Sequence, residues 1–472
     1  MKQLSFSLVL VLVIFGSGCT MAPKYIQPET LVPLEWPEGE AYPDSLAGFG
    51  MPDAQTMTPQ EFFQDDKMKE VLNLALTNNL DLRLAALNVE RVRAFYKIKR
   101  ADLFPSVYAS GTETRHRTPA DLSFTGSAMT VEEYSVNVGV AAWEIDFFGR
   151  VRSMKNQAWE QYLASEAGRR GAELSLVAAV GQSYMALAAS REQLQLSQAT
   201  LQSQQDFYSL MEKQFNSGLT TKLDLWRIQT QVNLAQRNVA IYTQRAAQHE
   251  NALNLLAGTL VPQELLPQNL TSVVGPREVD PGISSSVLLL RPDIMAAEHQ
   301  LKAANAYIGV ARAAFFPRIS LTALLGTASS SLAGLFGSGS ESWTFSPQVV
   351  LPIFDARTHG ALKLSEANQQ IVLVEYQKAI QNAFREVADV LAVKGTIDQQ
   401  VAAQESLVEA TEDTYNLAQA RYTKGIDSFL GVLDAHRSLY GAQQVLVGLH
   451  MARIANQFQL YAVLGGGTGV SN

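Results

Sequence analysis

An acid and a base lie three residues apart in the stretch RYTKGIDSFLGVLDAHRSLY, residues 421–440. In a helix this spacing places Asp434 and Arg437 on one face, where a carboxylate and a guanidinium form an ion pair. On an open surface such a pair contributes about 0.5 kcal/mol or less to stability. In a symmetric assembly, Arg437 would instead bind a carboxylate of a neighbouring chain or the partner hairpin of its own chain, and the sequence leaves these interpretations open.

The other polar residues form no catalytic or metal-binding pattern. His249-Glu250 has no second histidine four residues on, and Gly337–Ser340 lacks the nucleophile-elbow pattern. The histidines are scattered without ligand spacing, at His116, His249, His299, His359, His436 and His450. We expect no enzyme activity, no metal and no cofactor. A net charge of −8 gives no support for nucleic-acid binding, which needs a basic surface.

The single cysteine, Cys19, follows an N-terminal segment that is typical of a secretory signal peptide. Residues 1–18 carry one Lys, an apolar run from Leu8 to Phe15, and small residues before the cysteine. This run is too short to span a bilayer, which takes about 20 residues. Small residues directly before a cysteine resemble a bacterial lipobox, apart from Gly16, so we expect a covalent lipid on Cys19. The alternative is ordinary signal cleavage that leaves a spare cysteine.

Proline marks the organisation of the rest of the chain. Prolines are frequent up to Pro59, which predicts an extended tether over 19–68. There are none between Pro119 and Pro262 or after Pro352, which predicts long helices. The first, Arg150–Phe215, would reach on the order of 100 Å at about 1.5 Å per residue. A break is plausible only around Gly168 and Gly171.

The chain contains two copies of one unit. Asp81–Pro105 aligns with Asp293–Pro317 at an offset of 212, and Gly218 aligns with Gly425 at an offset of 207. Each copy is predicted to contain a helix, two strands and a long helical hairpin that turns at its glycine. The predicted segments are repeat 1 (69–258), a linker (259–286), repeat 2 (287–466) and a tail (467–472), with strands at 106–118, 131–146, 318–330 and 341–353.

The predicted strands alternate between apolar and polar residues. In Glu133–Ala142 the apolar set is Tyr134, Val136, Val138, Val140 and Ala142. Strands of about ten residues with one apolar and one polar face are typical of outer-membrane barrels, although a soluble half-buried sheet gives the same pattern. Four strands cannot close such a barrel, because barrels begin at about 8 strands and an open edge leaves backbone groups unpaired in lipid. Two chains would supply 8 strands and three would supply 12.

Several segments, taken together and in order, resemble the TolC-like outer membrane factors, in particular the lipoprotein branch typified by OprM and NodT. They span nearly the whole chain and are APKYIQP (22–28), WEIDFFGRVRS (143–153), SSVLLLRPDI (285–294), GVARAAFFPRISLTALLG (309–326) and residues 421–440. The resemblance implies a mainly α fold with a membrane β-barrel. Three chains would form a 12-stranded barrel, four strands from each, continued by a long α-helical barrel in the periplasm.

The resemblance also implies a function and a set of partners. The homotrimer would be the exit duct of a tripartite efflux pump in the outer membrane of a Gram-negative bacterium. It would receive drugs or other small toxic compounds from a periplasmic adaptor and an inner-membrane transporter of the RND or another class. Outer membrane lipid would be a further partner, and nucleic acid would not. Alternatives are an outer membrane component of type I protein secretion, and a lipid-anchored periplasmic coiled-coil scaffold.

By the same resemblance, particular residues receive roles. The hairpin tips, with Ser217, Gly218, Lys424 and Gly425, would contact the adaptor. Leu430, Asp434 and Arg437 would form the periplasmic gate, which closes like an iris, and Tyr422 matches a gate tyrosine. TolC-type members carry an aspartate where this chain has Gly431. We therefore expect a seal that depends partly on Leu430.

Overall fold

The structure is a computed structural model that describes residues 20–29, 31–42, 54–280 and 284–467. The predicted signal peptide and Cys19 lie outside the described residues. The main elements, in chain order, are α1 (Asp66–Asn78), α2 (Leu80–Ala101), β1 (Val107–Thr118), β2 (Met129–Ile145), α3 (Arg150–Asn216), α4 (Lys222–Ala257), α5 (Pro292–Ala313), β3 (Arg318–Ser329), β4 (Glu341–Val350), α6 (Ala356–Thr423) and α7 (Phe429–Val463).

The four strands form one antiparallel sheet in the order β1-β2-β3-β4. Each repeat supplies one hairpin, and the pairing of β2 with β3 joins the two hairpins, for example through Val138 and Leu325. Strands β1 and β4 are the edges of this sheet. Each edge presents a row of backbone groups that another strand can bind.

The two faces of the sheet differ sharply in polarity. Cross-strand pairs place Val138, Leu325 and Trp343 on one face, whereas Asn137 and Ser342 belong to the other. The apolar face is not covered by the chain: Trp343 is 75% exposed and Leu325 is 69% exposed. A soluble half-buried sheet would cover this face, so the sheet within one chain does not have that arrangement.

The alternation predicted through Ala142 is wrong at that residue. The register shifts between Val140 and Trp143, so that two residues of β2 face Thr322 of β3. Ala142 adopts a positive φ of 53°, and its amide donates to the Thr322 Oγ1 at 3.0 Å. This β-bulge reverses the parity of the strand. Trp143 consequently joins Val140 on the apolar face.

The two long hairpins consist of α3 with α4 and of α6 with α7. Helix α3 runs without interruption from Arg150 to Asn216, so the break considered at Gly168 and Gly171 does not occur. An absence of proline and a high content of Ala, Leu and Gln permit this length, because an isolated glycine costs a helix only about 1 kcal/mol. The helix is stabilised by packing along most of its length.

By its contacts the chain divides into two compact units. One contains the described parts of 1–28, 88–165 and 296–376, and therefore the sheet and the helix ends next to it. The other contains the described parts of 29–87, 166–295 and 377–472, and therefore both hairpin tips. The predicted site residues from Ser217 to Arg437 all belong to this second unit.

Candidate functional site: the hairpin tips

Both hairpins turn through the same backbone motif. At the first tip the amide of Gly218 donates to Phe215 O at 2.9 Å, and that of Leu219 donates to Gln214 O at 2.8 Å. At the second, the corresponding bonds join Gly425 to Tyr422 (2.8 Å) and Ile426 to Arg421 (3.0 Å). This pair of bonds defines the Schellman motif. The first of the two donor residues, Gly218 or Gly425, must adopt a left-handed conformation in this motif.

The two glycines meet that requirement, with φ of 74° at Gly218 and 70° at Gly425. Any other residue would be strained there, because a Cβ crowds the backbone at positive φ. Ser217, Gly218, Lys424 and Gly425 are all exposed. The four residues predicted to contact an adaptor thus lie at the ends of two hairpins, where no other part of the described chain covers them.

An apolar cluster holds the two tips together. Its buried members come from three helices and are Met211, Ile228, Phe429, Val432 and Leu433. The ring of Phe429 lies 5.7 Å from that of Phe207 and 5.1 Å from that of Tyr422. Within one chain, the first turns of α4 and α7 are therefore tied to the ends of α3 and α6.

Tyr422, predicted as a gate residue, belongs to this junction. Its hydroxyl donates to the Gln214 Oε1 at 3.1 Å, and the Met211 Sδ lies 3.4 Å away. The side chain links the end of α6 to the end of α3, so it joins the second hairpin to the first.

Leu430, Asp434 and Arg437 lie on the exposed side of α7. Arg437 donates to the Asp434 Oδ1 at 2.6 Å, which is the ion pair predicted from the spacing. Both side chains remain about two-thirds exposed, at 68% and 67%, and Leu430 is also exposed. All three residues line one small cavity of about 200 Å³ between α4 and α7.

Sequence reasoning missed a second ion pair at this cavity. Arg227 of α4 lines it together with Asp434, and Arg227 also contacts Asp224 at 3.3 Å. Asp224 in turn accepts a 2.6 Å hydrogen bond from the Thr221 hydroxyl at the start of the helix. The signal was present as an Asp and an Arg three residues apart in repeat 1, the same spacing that singled out Asp434 and Arg437 in repeat 2.

A further ion pair closes the second turn only. Arg421 donates to Asp427 through Nε at 2.5 Å and through a terminal nitrogen at 3.1 Å. This hydrogen bonding holds the pKa of the Asp427 carboxyl below its ordinary value. At the first tip the corresponding residues are Gln214 and Thr220, and both are uncharged.

Above the tips, buried polar residues line the contact between α3 and α7. Gln193 donates to Gln444 O at 2.8 Å, and Ser197 lies 2.8 Å from the Tyr440 hydroxyl. Gln204 lies 3.0 Å from the His436 Nδ1, and burial lowers the pKa of His436. Polar residues at buried helix–helix positions fix the register of the helices at a cost in stability.

Known proteins with the same sequence pattern decide what kind of molecule this is. The family description "Outer membrane efflux protein" matches residues 71–259 and 283–466. The chain belongs to this family. Its members are efflux channels of the outer membrane, not enzymes. The two matched segments correspond to the two halves of the chain that carry the repeat.

Two relatives and one solved structure illustrate the similarity. The solvent efflux pump outer membrane protein SrpC of Pseudomonas putida is 44% identical and covers 98% of this chain and 99% of its own length. The cation efflux system protein CusC of Escherichia coli is 38% identical, with 99% of both chains covered. The open state of the Neisseria gonorrhoeae MtrE outer membrane channel has a TM-score of 0.85 at 34% identity, over 95% of this chain and 99% of its own.

These findings confirm the fold class, the location and the coarse function. The chain is a mainly α outer membrane channel protein that contributes four strands to a membrane β-barrel, and it serves efflux. The roles of the gate and tip residues stay predictions. Among the described residues, no group of three or more His, Cys, Asp or Glu side chains could hold a metal ion.

Proposed function

We propose that three copies of this chain form the passive exit duct of a tripartite efflux pump. The duct receives small toxic compounds from a periplasmic adaptor and an inner-membrane transporter. The observation that carries the proposal is the sheet with two unpaired edges and an uncovered apolar face. In lipid, β1 and β4 need partners for their backbone groups, and only a closed ring of strands provides them.

The helices next to the sheet edges support the same closure. In a ring, β4 of one copy pairs with β1 of the next, so α6, which follows β4, lies beside α2 of the neighbouring copy, which precedes β1. Both helices expose apolar side chains there: Phe95 and Ile98 on α2, and Leu364, Ile371 and Val374 on α6. Ile371 and Leu364 lie seven residues apart, the repeat of a helix–helix seam.

Three copies supply 12 strands, enough for a water-filled lumen. The lumen side of the sheet carries mainly hydroxyl and amide side chains, such as Thr322, Asn137 and Gln348. Such a lining supplies no energy for transport and discriminates little between transported compounds. The printed names of the relatives, which range from solvent to cation efflux, agree with a duct whose cargo is chosen elsewhere in the pump.

The gate lies at the tips in this proposal. With threefold symmetry, three copies each of Leu430, Asp434 and Arg437 face the axis and close the duct, and the exposed turns bind the adaptor. Adaptor contacts that favour the open arrangement would shift the population toward it. The ion pair of each chain is weak by itself, about 0.5 kcal/mol, so the gate is a shallow barrier that a partner can overcome.

A covalent lipid on Cys19 completes the proposed assembly. The residues that follow lie against the unit with the sheet: Thr20 Oγ1 is 3.2 Å from Ser153 Oγ, and the Tyr25 hydroxyl donates to Glu298 at 3.0 Å. This attachment holds the chain next to the sheet that the lipid bilayer surrounds. Intact mass of the purified chain tests the lipid, since an unmodified Cys19 or a start at another residue contradicts it.

Conductance of the purified protein in planar bilayers tests the duct and its gate. We expect trimers on gels without heating, and a higher conductance for Asp434→Ala combined with Arg437→Ala. The matched control is Arg385→Ala with Asp389→Ala, which removes an ion pair of similar exposure (67% and 66%) from α6. Unchanged conductance in the Asp434/Arg437 variant would contradict the ion-pair gate. A monomer without conductance would contradict the duct itself.

A further inference from the structure

Arg227 and Asp434 occupy equivalent places on α4 and α7, the two returning helices that follow the hairpin turns. Helix α4 begins at Lys222 and α7 begins at Phe429, so each of the two residues is the sixth of its helix. The offset between them, 434 − 227 = 207, equals that between the tip glycines, 425 − 218 = 207. The internal repeat therefore places a cation on the first hairpin at the same height as the carboxylate on the second.

The two side chains also face the same space. The cavity of about 200 Å³ between α4 and α7 is lined by Arg227 and Thr230 from one side and by Leu430, Asp434 and Arg437 from the other. The apolar cluster around Ile228 and Leu433 fixes the distance between these helices directly beside the cavity. One carboxylate of α7 thus shares a small space with two arginines from different hairpins.

The present partners leave both groups with unused bonding capacity. Arg227 reaches Asp224 through one nitrogen at 3.3 Å, a long contact for a guanidinium. Asp224 is also held by Thr221 at 2.6 Å. Arg437 donates to only one oxygen of Asp434, Oδ1. A guanidinium has five N–H donors and a carboxylate has two oxygens, so Arg227 and Asp434 can each bind a second partner.

We propose that Arg227 is a positioning residue of the gate, which binds Asp434 across the two hairpins of one chain. This inference rests on the proposed gate. Three Asp434 carboxylates that converge at an axis repel one another, and Arg437 offsets one negative charge in each chain. Arg227 adds N–H donors for the second Asp434 oxygen, while Asp224 continues to balance the charge of Arg227, so the carboxylate is held more firmly in the closed arrangement. Arg227 also ties Asp434 to the first hairpin, so that opening requires α7 to leave α4.

A double-mutant cycle on bilayer conductance tests this coupling. We expect Arg227→Ala to raise the conductance of wild type by roughly 2- to 5-fold at about 0.1 M salt, where the Debye length of about 10 Å exceeds the separation of charges in contact. In an Asp434→Ala background the same substitution is expected to change nothing. Arg227→Lys keeps the charge and should recover part of the closure, a recovery that a purely structural role of Arg227 would not predict.

Two controls separate folding and gate failure from failure of this inference. Arg237→Ala removes an exposed arginine from the same helix and should leave conductance unchanged, and every variant should keep its trimer and its melting temperature. If the Asp434/Arg437 variant conducts like wild type, the gate itself is wrong. If that variant is open but Arg227→Ala has no effect, or has the same effect with and without Asp434, the gate stands and the role of Arg227 is wrong.

Discussion

The two hairpin tips have the same turn but differently supported returning helices. Both turns have the same two backbone hydrogen bonds and a glycine at positive φ. Thr221 then caps helix α4, since its hydroxyl accepts from the Asp224 amide at 3.2 Å. Ser428 precedes helix α7 in the same position, but its side chain makes no cap hydrogen bond, and the position that corresponds to Asp224 is Gly431.

This difference makes the start of α4 more rigid than the start of α7. The start of α4 has a cap and a carboxylate near the positive end of the helix dipole. The first turn of α7 has no cap hydrogen bond and no acidic residue, and Gly431 within it costs about 1 kcal/mol relative to alanine. The first turn of α7 is held instead by the apolar cluster through Phe429. A helix that depends on tertiary contacts more than on its own ends is suited to movement at a gate.

Removal of that tertiary support should have the largest effect. Phe429→Ala deletes a buried ring that contacts Phe207 and Tyr422, and such substitutions cost about 3–5 kcal/mol. We expect amides at the start of α7 and the end of α6 to exchange hydrogen much faster in native-state exchange experiments. The counterpart in repeat 1, Lys222→Ala, changes an exposed residue and should leave exchange almost unchanged. Equal effects of the two substitutions would contradict the comparison.

The sequence predicted most of this region because its signals are local. Positive-φ turns need glycine, long helices exclude proline, and an Asp and an Arg three residues apart share a helix face. The roles of whole segments came from resemblance to a family, since no local rule assigns a partner or a cargo. The place of Tyr422 against Gln214 was not predictable, because it depends on how two hairpins pack about two hundred residues apart in the chain.

The strand patterns show a second limit of prediction from the sequence. Period-two alternation predicted two faces correctly up to Val140 and failed at Ala142, because a bulge adds one residue to one strand without a sequence signal such as glycine. The importance of Arg227 was missed for a related reason. Its spacing from Asp224 is visible in the sequence, but its position beside Asp434 exists only when α4 and α7 lie side by side.

Acidification should weaken the contact between α3 and α7 beside His436. His436 is half-buried beside Gln204 and Tyr415, and this burial lowers its pKa below the ordinary value of 6.5. The folded protein therefore favours the neutral ring. Its contribution to stability is complete above pH 6.5 and is lost as the pH falls from 6.5 through the folded-state pKa. The counterpart in repeat 1 is Gln229, which has no such titration.

Thermal melting between pH 7.5 and about 5 measures this dependence. We expect His436→Gln to reduce the fall in melting temperature on acidification, because the substituted residue resembles Gln229 and needs no proton. His116→Gln, in an exposed position of β1, is the matched control and should keep the fall seen in wild type. If wild type and His436→Gln lose the same stability on acidification, His436 is not the group responsible.

The smallest effect concerns the caps themselves, and it tests the comparison most directly. Thr221→Ala removes the hydroxyl that accepts from the Asp224 amide, and losses of this kind cost about 1 kcal/mol. Ser428→Ala occupies the corresponding position in repeat 2, where the side chain forms no cap bond, and should cost close to nothing. Hydrogen exchange of the first-turn amides in α4 and α7 reports each change at its own tip.

An equal loss at both tips would show that Ser428 caps α7 in solution, and the two helix starts would then be equally rigid. A loss only in α4 would leave the apolar cluster as the main support of α7, which is the arrangement that lets a partner release one hairpin while the other keeps its shape.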